Sequence, residues 1–194
     1  PLNLLFTGWK LLLSKIFKFK GEDIITEEEL LSYVEEASED GTLDKNETEK
    51  IHIAAHLHDI GKIGVPDAVL QKQGKLTEDE WQQMKKHPEY GANILKKSHR
   101  LSELSEIVLM HHERFDGKGY PFGKSGNEIP LGARIIAICD SIDAMTSNRC
   151  YRKSLSFETC YNEIKINLGK MYDPQIGQKV LDNWPQIIGV LAQA

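Results

Sequence analysis

The feature that most constrains this chain is LGARIIAICDSIDAM, residues 131–145, a strongly apolar run with an acid, Asp140, set inside it. Such a helix has to be covered by other elements on several faces. An ionised carboxylate within it is costly unless a cation or a hydrogen-bond donor answers it. No segment shows the strict apolar–polar alternation of a half-buried strand. The expectation is therefore an all-α fold, a helical bundle, with a polar site on its inner faces.

Helix boundaries can be read along the rest of the chain. Thr26 and Glu29 form a capping box that opens a helix through about Glu39, closed near Gly41. Asp44 and Glu47 make a similar start, and the helix they open runs into IHIAAHLHDI until Gly61, Gly64 and Pro66 break it. Thr77 and Glu80 open another through Trp81 and Met84. Proline disfavours helical geometry in the residue before it, so His87-Pro88 predicts a helix junction, with one helix through Leu95 and another across Leu101 to His112. FDGKGYPFGKSGNEIP, residues 115–130, reads as the one long irregular loop. Beyond the Asp140 helix, one helix spans about Phe157 to Leu168, and another starts after Asp173-Pro174, an N-cap with proline at the first helical position.

Charge divides the chain into blocks. Residues 1–20 carry four lysines and no acid; residues 21–50 carry twelve acids against Lys45 and Lys50; the remainder is nearly balanced. The net charge of −5 speaks against a general DNA or RNA binder. Three cysteines without C-x-x-C spacing give neither a disulfide framework nor a zinc knuckle and suit a reducing, cytoplasmic setting. The opening PLNLLFTGWKLLLSKIFKFKG has at most nine residues without a charge, too short to span a bilayer, and no cleavage site follows it. Its Leu, Ile, Phe and Lys fit a helix lying on an anionic membrane surface, or one packed on a partner; a homodimer is among the assemblies expected. The domains read as 1–50, an amphipathic and acidic helical appendage, and 51–194, the domain that holds the chemistry.

That chemistry rests on His58-Asp59, at a helix end before a glycine-rich break, on His111-His112, at another helix end, and on Asp140. Imidazoles and carboxylates together suit divalent Mn, Fe, Zn or Ni. With Asp59 bridging, such a set can hold two ions about 3.5–4 Å apart. Simpler readings exist for each residue taken singly. His99 stands among bases and reads as surface, while His52 and His56, four apart on one helix, read as packing or supporting groups rather than a metal pair.

Five ordered segments carry a family resemblance: HDIGKIGVPD (58–67), HPEYGANIL (87–95), HHERFDGKGYP (111–121), IPLGARI (129–135) and DSIDAMTSNRCYR (140–152). Over residues 51–184 the chain resembles the HD-GYP branch of the HD-domain phosphohydrolases. The resemblance implies an HD-domain helical bundle with His58, Asp59, His87, His111, His112 and Asp140 as metal ligands. It also implies a bacterial cyclic dinucleotide, chiefly cyclic di-GMP, as substrate, hydrolysed to pGpG or on to GMP. Two cations would hold a phosphodiester oxygen and lower the pKa of a bridging water to give hydroxide. Asp59 and Lys62 are then the catalytic candidates, with Lys62 reaching a non-bridging oxygen. Gly119, Tyr120 and Pro121 shape a loop beside the metals, with Gly117; Tyr120 either stacks on a base or bonds a phosphate, against the simpler role of capping the core. Arg149 and Arg152 match ligand-contacting positions, and Asp143 reads as a supporting acid.

The match departs upstream. Family members carry a histidine, and some a glutamate, about thirty residues before the HD pair; here that count reaches Thr26, Glu22 lies near the glutamate position, and no histidine precedes His52. Two ions are therefore expected rather than three. ITEEELLSYVEEASEDGTLDKNE, with the apolar-basic segment before it, is similar to the cytosolic lead-in of CNNM/CorC-type transporters. A cyclic-dinucleotide sensor or protein-docking module without turnover, and a hydrolase of another nucleotide, are the rival functions.

Overall fold

Ile51, Ala54 and Ala55 stand at helical spacing in the sequence, and all three are buried along the first described helix, α1 (Lys45–Leu57). A computed structural model describes residues 45–147 and 154–191; the predicted Thr26–Glu29 box, Asp44, Glu22, the segment before residue 45, Arg149, Cys150 and Arg152 lie outside the described residues. After α1 come a 3-10 turn (Ile60–Gly64), α2 (Asp67–Leu70), α3 (Glu78–Met84), α4 (His87–Leu95) and a second 3-10 turn (Ser102–Leu104). α5 (Ser105–Met110), a third 3-10 turn (Gly126–Glu128), α6 (Leu131–Thr146), α7 (Phe157–Ile166), α8 (Pro174–Asp182) and α9 (Trp184–Leu191) complete the order. Among the described residues there is no strand, so the expected all-α class holds.

α6 is the central element. Ile135, Ile136, Ile138, Cys139 and Ile142 are buried in one cluster with Ala54 of α1, Val108 of α5, and Cys160 and Ile164 of α7. The predicted caps do their work at two places. Thr77 accepts from the Glu80 amide while the Glu80 side chain accepts from the Thr77 amide, which fixes the start of α3. Asp173 accepts from the amides of Gln175 and Ile176 at the start of α8. The other oxygen of Asp173 takes Arg134 Nη1 at 2.5 Å, and the same nitrogen lies 3.2 Å from Asn127. One guanidinium on α6 thus ties α8 and the 115–130 loop to the central helix.

Some boundaries differ from the sequence reading. The helix expected from Leu101 to His112 is a 3-10 turn followed by α5, which stops at Met110 with His111 as its cap. Successive residues of a regular helix point about 100° apart, so adjacent histidines can share a centre only where the helix has ended. α2 and α9 had no separate signal, and α7 ends two residues earlier than expected, where Asn167 caps it. Asp143 accepts from the Ser147 hydroxyl and amide, and so closes the C-terminal turn of α6. His99 is exposed, as read, and His56 lies on the exposed side of α1 with its Nε2 3.2 Å from that of His52.

The turn after α1 meets α4 backbone to backbone. A Cβ built on Gly61 would lie 1.9 Å from the His87 carbonyl oxygen and 2.3 Å from the Gly91 nitrogen. Only a hydrogen fits there, and this contact sets how near His58 and Asp59 come to His87. Gly61→Ala should therefore destabilise the fold by about 3 kcal/mol, read as a shift of the urea midpoint; an unchanged midpoint would show that the crossing is slack.

Candidate metal centre

Three turns deliver the imidazoles. His58 follows α1, His87 opens α4 and His111 caps α5, and each binds the carbonyl three residues back through Nδ1: Ala55 at 2.5 Å, Met84 at 2.8 Å and Val108 at 2.6 Å. A ring nitrogen can bond a carbonyl only by donating, so the Nδ1 proton is committed. Burial lowers the pKa of His87, most of all against the opposing charge of Asp59, and burial with the neighbouring His112 and His58 lowers that of His111 well below the usual range. Both rings are therefore neutral near pH 7, with the Nε2 lone pair facing inward.

Those lone pairs converge. His87 Nε2 lies 3.3 Å from His111 Nε2 and 3.3 Å from Asp59 Oδ1, while His58 Nε2 lies 3.5 Å from Asp59 Oδ2 and 3.9 Å from Asp140 Oδ1. His112 completes the cluster, its ring centroid 4.0 Å from that of His111 and 5.0 Å from that of His87. Burial pushes the pKa of His112 down to about 3. Ligand atoms of His87, His111 and His112 lie within 4.8 Å of one another, and so do those of His58, Asp59 and His111. Acceptors turned toward acceptors repel unless a cation sits among them. The donor set, imidazole nitrogens with carboxylates and their outer protons fixed on carbonyls, fits a divalent transition metal.

All six sequence-nominated ligands are thus in one region, with Asp140 at its edge. Its side chain is 29% exposed, so α6 presents it at the mouth of the site rather than in the core. Asp59 offers one oxygen toward His58 and the other toward His87. Burial opposes its charge, yet hydrogen bonding and charge from His58 and from Lys62 hold its pKa well below the usual carboxylate range. The Lys62 ammonium pairs with Asp59 Oδ2, one turn before it in the chain. In this arrangement Lys62 neutralises a carboxylate of the site.

The 115–130 loop folds back over the imidazoles. The Tyr120 amide donates to the His112 carbonyl at 3.2 Å, and the phenol ring lies 4.9 Å from the His112 ring. Burial and the carboxylates of Asp59 and Asp140 raise the pKa of Tyr120, so it remains a hydrogen-bond donor. Gly119 is required by proximity: a Cβ there would lie 2.4 Å from the Arg114 nitrogen. Pro121 follows Tyr120 through a cis bond, and Gly117 has φ 75°.

Three supports escaped the sequence reading. Glu113 is 3% exposed; Oε1 accepts the Phe122 amide at 2.7 Å, while Oε2 has no hydrogen-bond partner among the described residues. Arg114 grips Asp116 through Nε at 3.0 Å and Nη2 at 2.7 Å, a bidentate pair that lowers the pKa of Asp116 to about 2. The Nδ1–carbonyl bonds are the third. HHERFD displays Glu113, Arg114 and Asp116, but neither pairing follows from spacing alone.

The buried imidazoles give a signed pH dependence. Unfolded, each titrates near 6.5; folded, His112 titrates near 3, and His87 and His111 are also lowered. Below about pH 6.5 the unfolded chain binds protons that the folded chain does not. Stability of the EDTA-treated protein should therefore fall as pH drops toward 3, by about 1.4 kcal/mol per pH unit from His112, with further loss in the same direction from His87 and His111. Urea midpoints at pH 7.5 and 5 read this, and equal midpoints would contradict neutral burial.

Comparison with known proteins agrees with this geometry. The HD domain family matches residues 12–176, reaching upstream of residue 51. The chain is 46% identical over 134 residues to a cyclic di-GMP phosphodiesterase of Thermotoga maritima, covering 68% of this chain and 36% of that protein. It is 40% identical over 153 residues to the cyclic di-GMP phosphodiesterase response regulator RpfG of Xanthomonas campestris pv. campestris, covering 78% and 40%, and 38% identical over 152 residues to the 3'3'-cGAMP-specific phosphodiesterase 2 of Vibrio cholerae, covering 77% and 29%. The chain thus spans less than half the length of these curated relatives. Among solved structures it is similar in fold to Bd1817, an HDG"Y"P protein of Bdellovibrio bacteriovorus, with TM-score 0.61 and 20% identity over 88% of this chain and 56% of that one. The chain belongs to the HD-domain family, in its HD-GYP branch.

Proposed function

We propose that this chain is a metal-dependent cyclic-dinucleotide phosphodiesterase that hydrolyses cyclic di-GMP to pGpG, GMP or both. One observation carries the reading: three imidazoles, each with Nδ1 bonded to the carbonyl three residues back, turn their Nε2 atoms, with Asp59, onto one centre. His58, Asp59, His87, His111, His112 and Asp140 would hold two ions, iron or manganese or similar, with Asp59 serving both. Bound divalent ions supply Lewis acidity toward a phosphodiester oxygen and lower the pKa of water. The chain's own residues supply the rest.

Asp59 orients the centre, and its depressed pKa keeps it a carboxylate through the neutral range. Lys62, within reach of Asp59, is a mobile point charge that can move to a non-bridging oxygen of the substrate. The protonated phenol of Tyr120, beside His112, can donate to a phosphate oxygen while Gly119 and Pro121 hold it there. Arg149 and Arg152 are assigned to the second phosphate or a guanine edge. Relatives named for cyclic di-GMP and for 3'3'-cGAMP both match this chain, which supports a cyclic dinucleotide as the substrate class. We place the protein in the cytoplasm, with residues 1–20 as a membrane-surface or dimer contact. No helix among the described residues is long and apolar enough to cross a membrane.

A binding module without turnover is the second reading, favoured by the absence of any histidine before His52. Incubating manganese-loaded protein with cyclic di-GMP and resolving products separates the two. Linear product should form, and His58→Ala and Asp59→Ala should each lower the rate by about 100-fold or more. Tight binding of cyclic di-GMP with no product would instead establish the sensor.

A further inference from the structure

Trp81 has no place in the core. It is 41% exposed on α3 and is absent from the buried cluster and from the apolar residues packed against it. Its ring meets two other things. Tyr120 lies edge-on at 6.1 Å between centroids, and the Lys85 ammonium stands 5.9 Å from the indole centre. Tyr120 in turn lies 4.9 Å from His112. Imidazole, phenol and indole therefore run in sequence outward from the metal centre, ending on an exposed indole with a positive charge over one face of its ring.

An exposed indole one ring beyond a phosphate-handling centre is what a nucleobase needs. Every base has a π-face, and stacking on tryptophan stabilises it by an amount that base-free sugar phosphates cannot gain. The neighbouring ammonium adds discrimination. Guanine presents two acceptors, O6 and N7, along the edge where adenine presents one acceptor and the N6 amino donor; a lysine can satisfy the first edge and is opposed by the second.

We propose that Trp81 and Lys85 form a guanine subsite, with the indole stacking on the base and the ammonium selecting guanine over adenine. The inference rests on the phosphodiesterase reading for its biological substrate, but the site itself can be measured without turnover. Titrate manganese-loaded protein calorimetrically with GMP, AMP and ribose 5-phosphate, which share a 5'-phosphate and differ in the base. GMP should bind about tenfold more tightly than ribose 5-phosphate, and about fivefold more tightly than AMP. Trp81→Ala should bring both nucleotides to the affinity of ribose 5-phosphate, with manganese content unchanged, and Trp81→Phe should restore most of the difference. Lys85→Met should remove the preference for GMP over AMP.

Equal affinity of the wild type for GMP and ribose 5-phosphate overturns the subsite. So does a Trp81→Ala variant that weakens all three ligands alike, since that is the signature of a mere prop for Tyr120. Absence of cyclic di-GMP hydrolysis alongside an intact base preference would strike the hydrolase reading and leave the subsite standing.

Discussion

Three carbonyl oxygens, those of Ala55, Met84 and Val108, each take the Nδ1 proton of a histidine three residues further on. The arrangement of the site follows from this repeated bond. Each carbonyl lies near the end of a helix or in the turn before one, where regular helical pairing runs out, so the imidazole adds a partner to an under-satisfied acceptor. In return each ring is fixed in orientation with Nε2 inward, and in His87 and His111, neutral by burial, that nitrogen can only accept. Without that bond, burial would leave the rings free to hydrogen-bond each other in pairs. With it, the converging nitrogens are mutually unfavourable and favour a cation. Stability of the helix ends and affinity for metal are thus two consequences of the same interaction.

Distance between the three turns is set elsewhere, by Gly61. The close crossing of its backbone over His87 and Gly91 brings α4 against the turn after α1. Arg134 does the corresponding work in the first turn of α6, where its pair with Asp173 anchors α8 and its contact with Asn127 reaches the loop. The loop carries its own fastenings, Glu113 to the Phe122 amide and Arg114 to Asp116. These polar ties are buried or half-buried, and each joins segments that apolar packing alone would leave free to slide.

Helical spacing made the all-α class legible, and the two caps at Thr77 and Asp173 were legible because capping is local: the acceptor and its amides lie within three residues. His58, Asp59, His87, His111, His112 and Asp140 were nominated from motifs, and the fold brings them into one region. What could not be read is what depends on partners distant in sequence. Arg134 with Asp173 and Trp81 with Tyr120 are each separated by 39 residues, and no local rule pairs them. The break between α5 and His111 was missed for a different reason. Apolar periodicity runs on to the histidines and carries no stop signal, whereas α5 ends at Met110 with His111 as its cap.

Lys62 shows how geometry adds to a role that a motif suggests, on the proposed phosphodiesterase reading. Its ammonium is committed to the Asp59 oxygen that also faces His58. A phosphodiester entering the site brings a negative charge to the same neighbourhood, and the flexible four-carbon stem lets one ammonium serve either anion. On the proposed reading, holding the lysine on Asp59 would keep the carboxylate charged before substrate arrives, and releasing it to the substrate would leave Asp59 to the metal ions. Lysine suits that exchange better than arginine, whose bidentate fork would bind one carboxylate geometry and resist transfer. The single turn between Asp59 and Lys62 is short enough for the pair to form, and on the proposed reading the partly exposed ammonium could equally meet an entering phosphate.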